Sequence, residues 1–245
     1  MLRFSDLKIG IDKAADAETE RQALRKLILS QLKISDKELI DYKIFKKSID
    51  ARKKDKILFV YTVDVEIHNE AQILGKYSSK GITPTPDLSY KGVPLGTENM
   101  AERPVVIGMG PAGLFAGLLL ARNGYNPIIL ERGEDVETRT QKVNKFWHRG
   151  QLDTESNVQF GEGGAGTFSD GKLTTLINDR RCRNVLEEFI KAGAPPEILY
   201  KSKPHVGTDI LKTVVKNIRQ EIIAHGGEVR FKAKVTDFII QDGNI

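Results

Sequence analysis

Val105-Val106-Ile107-Gly108-Met109-Gly110-Pro111-Ala112-Gly113-Leu114-Phe115-Ala116-Gly117-Leu118 decides the fold of the second half of this chain. Val105, Val106 and Ile107 are β-branched and read as a short buried strand. Leu114 to Arg122 are strong helix formers. Between the two, the glycines fall at the G-x-G-x-x-G spacing, and each has a physical task. Gly108 permits the tight turn out of the strand. Gly110 keeps a Cβ out of the path of an approaching pyrophosphate. Gly113 lets the helix pack closely on the sheet. Pro111 suits a first helical turn, where a missing N–H is tolerated. The helix head, which opens at Pro111, points the free amides of Ala112 and Gly113 and a positive dipole end at the phosphates.

Outward from this turn, Asn123-Gly124 marks the helix end and Pro127 to Leu130 forms a second strand. Glu131 ends that strand, about 20 positions beyond the first glycine. A carboxylate there accepts hydrogen bonds from both ribose hydroxyls of an adenosine and repels a 2′-phosphate, so an NADP-type site is disfavoured. Glycines also cluster in ordinary turns. The strand before, the helix after and the acid beyond set this run apart, although they do not separate FAD from NAD. Helices are expected over 135–149, 181–192 and 207–225. Strands are expected at Glu228–Phe231 and Val235–Ile240, with Asp242-Gly243 as a hairpin turn.

Residues 1–80 follow a different rule. Leu7, Ile9 and Ile11 alternate as in a strand, and Leu24, Leu27, Ile28 and Leu32 repeat at helical spacing. Ser35 and Glu38 have the capping-box spacing for a further short helix. Two β-like stretches follow, Ile40 to Ala51 and Lys56 to His68, around a turn at Arg52-Lys53-Lys54-Asp55-Lys56. In the second, Ile57, Phe59, Tyr61, Val63, Val65 and Ile67 share one face. A helix is expected after Glu70, and the order implies a small α+β ferredoxin-like module. Residues 81–103 carry Pro84, Pro86 and Pro94 with Gly81, Gly92 and Gly96, and read as an irregular linker. The chain therefore divides into 1–80, a linker 81–103 and a Rossmann-like α/β domain 104–245, incomplete at its C-terminus because the strand ending near Ile240 has no partner left to pair with.

Composition narrows the function classes. Hydrophobic residues at 40% and charged residues at 29% fit a globular chain, not a disordered one. No apolar run spans a bilayer, and Met1-Leu2-Arg3-Phe4-Ser5-Asp6 lacks a secretory pattern, so no membrane association and a cytoplasmic location are expected. Cys182 is the only cysteine, which excludes an intrachain disulfide and a dithiol redox pair. The four histidines show no metal-ligand spacing. A net charge of +5 permits acidic partners without selecting one.

Phe160-Gly161-Glu162-Gly163-Gly164-Ala165-Gly166-Thr167-Phe168-Ser169-Asp170-Gly171-Lys172 follows the βαβ unit. So many glycines make a poor helix or strand and a good close-approach loop, or else a surface loop. The run Val105 to Gly133 resembles the FAD-binding fingerprint of the glutathione-reductase-like flavoproteins. Asn157 to Thr175, with Pro204-His205-Val206-Gly207-Thr208-Asp209, resembles the bacterial family of uncharacterised FAD-dependent dehydrogenases, and the likeness extends over most of the chain.

The resemblance implies that Gly108, Gly110 and Gly113 cradle the FAD pyrophosphate. It implies that Glu131 holds the ribose, with Arg132 beside adenine or ribose and the Val235 backbone against adenine. Arg139 is a further candidate for the phosphates. The loop through Gly163, Gly164, Ala165, Gly166, Thr167 and Lys172 is expected near the ribityl chain and the isoalloxazine ring. Relatives of that family continue into a substrate-covering domain and a last flavin-binding segment. The implied function is an FAD-dependent oxidoreductase that moves a hydride through its flavin, with NAD(P)H as the candidate transient electron donor and an unidentified small-molecule substrate. Lys172 or the loop amides would stabilise reduced flavin. No catalytic residue follows from the sequence: His205 and Asp209 have structural readings as a hydrogen-bonder and a helix cap. Two alternatives stand beside this. One is RNA binding by Phe59 and Tyr61 among Lys46, Lys47, Arg52, Lys53, Lys54 and Lys56, although the regular alternation places both rings in a core and disfavours nucleic acid as a partner. The other is a non-catalytic dinucleotide-binding module.

Overall fold

A computed structural model describes residues 1–78, 81–98, 100–175, 177 and 179–241. The architecture is mixed α/β, with one antiparallel and one parallel sheet. Two compact units are present. The first comprises Met1–Tyr90, Leu176–Asn184 and Pro196–Pro204; the second comprises Lys91–Thr175, Val185–Pro195 and His205–Ile245.

In the first unit the order is β1 (Leu2–Gly10), α1 (Ala17–Leu32), β2 (Leu39–Asp50), β3 (Leu58–Ile67), α2 (Glu70–Tyr77) and β4 (Ile82–Pro84). The strands line up as β2-β3-β1-β4, every neighbour antiparallel. Helix α1 begins where Asp16 accepts from the Thr19 amide at 2.8 Å, satisfying a first-turn donor that has no helical partner. Leu24, Ile28 and Leu32 then recur every four residues on one buried face. They pack on the alternating Tyr61, Val63, Val65 and Ile67 of β3, which are buried in the same core. A partly buried, bidentate pair, Arg3 Nε and Nη2 to Asp64 at 2.7 and 2.9 Å, lies on the sheet's other face.

Three local expectations for this unit change. Ile11 leaves the strand for a short 3-10 turn and is 50% exposed. Ser35 and Glu38 close a turn, the Glu38 carboxylate accepting from the Ser35 amide at 2.7 Å. No helix follows because the β-forming run of β2 starts at the next residue. The stretch expected to be irregular linker from residue 81 begins with strand β4, whose Ile82 belongs to the core. Pro84 is tolerated because β4 is an edge strand.

In the second unit β5 (Val105–Ile107), α3 (Pro111–Arg122), β6 (Ile128–Leu130), α4 (Val136–Arg149), the later part of α5 (Arg180–Lys191), α6 (Thr208–Ala224) and β7 (Glu228–Arg230) follow in sequence. The three strands are parallel in the order β5-β6-β7. Helix α6 buries Leu211, Val214, Val215, Ile218 and Ile222 along one stripe. Helix α3 approaches β6 so closely that a Cβ on Gly117 would stand 2.3 Å from Ile129 Cδ1. Arg122 bonds Glu188 and Glu221 at 2.7 Å each, joining α3 to α5 and α6. The opposite face of β5 is open: Val105 and Ile107 are about half exposed. Residues 235–240, expected as a strand, have no strand structure, and Phe238, Ile239 and Ile240 are exposed. Their apolar side chains have the residue types of a strand, but among the described residues no strand pairs with them. The hairpin turn expected at Asp242-Gly243 lies outside the described residues. Among the described residues, no helix is long and apolar enough to cross a membrane.

Candidate functional site

The β5-to-α3 turn is held by the Gly108 amide, which donates to Leu130 O at 2.7 Å. Gly108 has φ +88°, a conformation that side chains disfavour. At Gly113 a Cβ would lie 1.9 Å from Gly108 O, so the helix packs on its own entry turn. Gly110 differs from both. Its φ of −71° and ψ of −175° suit any residue, and a Cβ there would meet nothing within 4 Å. Neither backbone nor packing demands a glycine at that position; what the glycine preserves is open space before the helix's first turn. The amides there lack helical acceptors and carry the positive end of the dipole.

Glu131 follows β6 and is buried. Its Oε2 accepts from the Met109 amide at 2.7 Å and its Oε1 from the Gly133 amide at 2.8 Å. The carboxylate is thus a staple between the glycine turn and the end of β6, a task the sequence did not announce. A carboxylate has about four acceptor positions, so each oxygen keeps capacity beyond the staple.

A cavity of about 280 Å³ opens here, lined among others by Gly108, Gly110, Glu131, Arg132, Gly164 and Val235, just below the usual range for ligand pockets, about 300–1,000 Å³. Six residues expected at the site are therefore brought together. Their spacing in the sequence is long, and the parallel pairing of β5, β6 and β7 is what aligns them. On the wall the Arg132 guanidinium lies 3.8 Å over the Phe160 ring and bonds Glu155 Oε2 at 2.8 Å. Lys234 bonds the same carboxylate at 3.1 Å. Hydrogen bonds from Arg132 and then Lys234 hold the Glu155 carboxyl below its ordinary value. Gln159, Phe160, Ala233 and Lys234 also line the cavity and were not anticipated. The last two arrive because β7 ends beside β6, which no local pattern encodes.

The glycine loop lies against the turn. The Gly163 amide donates to Met109 O at 2.8 Å, and a Cβ on Gly164 would stand 3.2 Å from Gly110 Cα. Gly163 is thus occupied in holding the turn. Ala165 and Gly166 are exposed, and Thr167 is buried within a 3-10 turn, Ala165–Phe168. Pro111 and Ala112 are exposed at the helix head.

Arg139, expected among phosphate ligands, has a different job. It is fully buried and donates to the carbonyls of Asn157 (2.7 Å), Val158 (2.9 Å), Gly161 (3.3 Å) and Glu162 (2.5 Å). With its donors directed at the loop backbone, it shapes residues 157–162 and is absent from the cavity wall. Burial pulls its pKa down to about 10 against the pull of Glu131 and Glu162. Lys172 also departs from expectation: its ammonium is well exposed and pairs with Asp170 at 2.6 Å, which raises its pKa. Asp209 sits in the first turn of α6, whose cap is Gly207 without a side-chain bond. In the first unit Tyr61 is fully buried, while Phe59 is partly buried, packs against the core and carries the Lys47 ammonium 4.3 Å over its ring.

Residues 1–66 match a family described as a domain of unknown function, DUF8436. Over 244 residues the chain is 49% identical to an uncharacterized protein of Clostridium beijerinckii; the match takes in 100% of this chain and 45% of that protein. The chain therefore spans less than half the length of that relative.

Proposed function

We propose that the second unit binds the adenosine diphosphate portion of FAD and that the protein is an FAD-dependent oxidoreductase of the glutathione-reductase-like type. In this reading the second unit is Rossmann-like and the first, with its β2-β3-β1-β4 order, is a ferredoxin-like module. One observation carries the proposal: the open space before Gly110 and the Glu131 carboxylate border the same cavity.

The residues fit the group. A diphosphate at the head of α3 meets amides and the positive dipole end without a side chain in the way. The unused acceptor positions of Glu131 suit ribose hydroxyls, and its charge disfavours a 2′-phosphate. The flat Arg132–Phe160 wall and the backbone at Ala233–Val235 suit adenine. When bound, the flavin supplies hydride chemistry, with NAD(P)H as the electron donor. Lys172, exposed and paired with Asp170, is weakened as a group that tunes the flavin, and the Gly163 amide already has an acceptor. This leaves binding and orientation as the work assigned to named residues.

The test is to purify the protein, release any bound small molecule by denaturation, and identify it, with FAD and ADP titrations of the emptied protein beside it. FAD is expected. Recovery of NAD would replace the flavin and keep the dinucleotide site; absence of both, with no ADP binding, would refute the proposal.

A further inference from the structure

Glu162 is fully buried in the loop that covers the glycine turn. Its amide donates to Glu134 O at 3.1 Å, and its carbonyl accepts from Arg139. Its Oε2 accepts from the Val136 amide at 2.7 Å, at the start of α4. Arg219 of α6 stands 3.4 Å from that oxygen. Oε1 is buried and, among the described residues, has no hydrogen-bond partner. The next residue, Gly163, makes the bond to Met109 O that presses the loop on the turn. A single side chain thus fastens the loop to α4 and α6 while its neighbour fastens the loop to the nucleotide turn.

We propose that Glu162 is the positioning residue that keeps the glycine loop closed over the nucleotide turn, and that it does so best while it carries a proton. The reason is the orphaned oxygen. Ionised, Oε1 holds charge with no donor in a site without water access; protonated, the charge is gone and Oε2 still accepts from Val136. The charged groups around it do not remove that bias. On α4, Asp135 and Glu137 push toward the neutral form, and the Arg139 guanidinium is directed at backbone carbonyls. In the segment after β6, Glu134 is answered by Lys142 and Lys232 at 2.6 and 2.9 Å, and Glu131 by two amides. On α6, Arg219 opposes the bias but is shared with Glu137, 3.2 Å away, which Lys216 also holds. Burial foremost pushes the Glu162 carboxyl up to about 7. In an opened loop the group returns toward 4.5. Closing then takes up a proton between those values, so closure weakens as pH rises across that window and levels off above it.

The consequence for cofactor retention rests on the proposed nucleotide site; the loop's own behaviour does not. Hydrogen exchange of the loop amides, corrected for intrinsic base catalysis, is measured on the purified chain at pH 6 and pH 8. The closed loop is expected to open about tenfold more often at pH 8 than at pH 6 in the wild type, and equally at both in Glu162→Gln. FAD and ADP affinities should fall over the same interval in the wild type and stay level in the variant. Wild-type opening that ignores pH, or a variant that keeps the wild-type dependence, overturns the proposal. Should Glu162→Gln fail to fold, Arg219→Met serves: its opening midpoint must move to higher pH, and an unmoved midpoint is equally decisive against. If neither ligand binds at either pH, the nucleotide reading falls and exchange alone judges the loop.

Discussion

Gly110→Ala and Gly113→Ala form a pair that separates binding from folding. At Gly113 the new methyl would sit 1.9 Å from Gly108 O and 3.0 Å from Gly108 C, both backbone atoms of a turn that is itself bonded to β6. Overpacking of this kind costs about 1–3 kcal/mol, and the clash with backbone places it toward the upper end. Alanine recovers about 1 kcal/mol of helix propensity, leaving a net loss of about 1–2 kcal/mol. At Gly110 the backbone already suits alanine and its methyl meets nothing within 4 Å. Reduced freedom of the unfolded chain then stabilises by about 0.4–1 kcal/mol. Binding should behave in the opposite way. The Gly110→Ala methyl fills the space assigned to phosphate, and ADP affinity is expected to fall at least about tenfold, or about 1.4 kcal/mol. The single tryptophan, Trp147, lies on α4 of the second unit. Urea unfolding followed by its fluorescence therefore reports on this unit, and calorimetry measures ADP binding. A Gly110→Ala protein that binds ADP like the wild type, or that unfolds as readily as Gly113→Ala, refutes the reasoning.

Glu131→Ala removes the acceptor of two buried amides, so a loss of about 2–4 kcal/mol is expected in the same urea assay; a loss below about 1 kcal/mol would show that the staple matters little. Arg139→Met removes a donor from four loop carbonyls, of which Gly161 O keeps the Gly164 amide, and should cost about 3 kcal/mol, with exchange rising over residues 157–162, whereas a rise confined to α4 would contradict its assignment to the loop. In the first unit, Asp64→Ala breaks the bidentate pair with Arg3 at about 1–3 kcal/mol, read by far-ultraviolet circular dichroism on urea titration, and Trp147 fluorescence should be unmoved. Glu162 gives the pH dependence of stability. Its carboxyl is raised in the folded state, so its contribution is fully present below about 4.5 and is lost as pH climbs toward about 7, up to ~3 kcal/mol in all. Unfolding midpoints at pH 5 and pH 8 should converge on the variant's behaviour in Glu162→Gln, and parallel profiles for the two proteins would count against it.

The sequence carried the elements with strong periodicity and lost those that depend on a partner. Helices α1 and α6 show their buried stripes in the residue order, and β3 alternates without interruption, so tertiary packing had nothing to override. The turn of Ser35–Glu38 has the chemistry of a cap, yet the β-forming residues that follow decide its outcome. Residues 235–240 have strand composition, but a strand exists only with a neighbour. At the site, Gly108 and Gly113 were legible because a positive φ and a close approach to the turn dictate a glycine there. Gly110 and Arg132 came instead from the motif and the resemblance, since neither backbone nor packing requires a glycine at 110. Arg139 was misjudged for a general reason: a cation near a candidate phosphate site looks the same in sequence whether it faces a ligand or the backbone carbonyls of an adjoining loop. Ala233 and Lys234 were invisible because their place is set by strand pairing across a long sequence separation.

The double engagement of Glu131 has an evolutionary consequence. In many nucleotide folds the acid after the second strand is a dial that can be reset to change which coenzyme is accepted. Here, exchanging it for a smaller or basic residue to admit a 2′-phosphate would also release the Met109 and Gly133 amides, loosening the turn on which any coenzyme would rest. If the proposed dinucleotide reading holds, coenzyme preference should therefore drift slowly, changing only alongside a second substitution that offers those two amides a new acceptor.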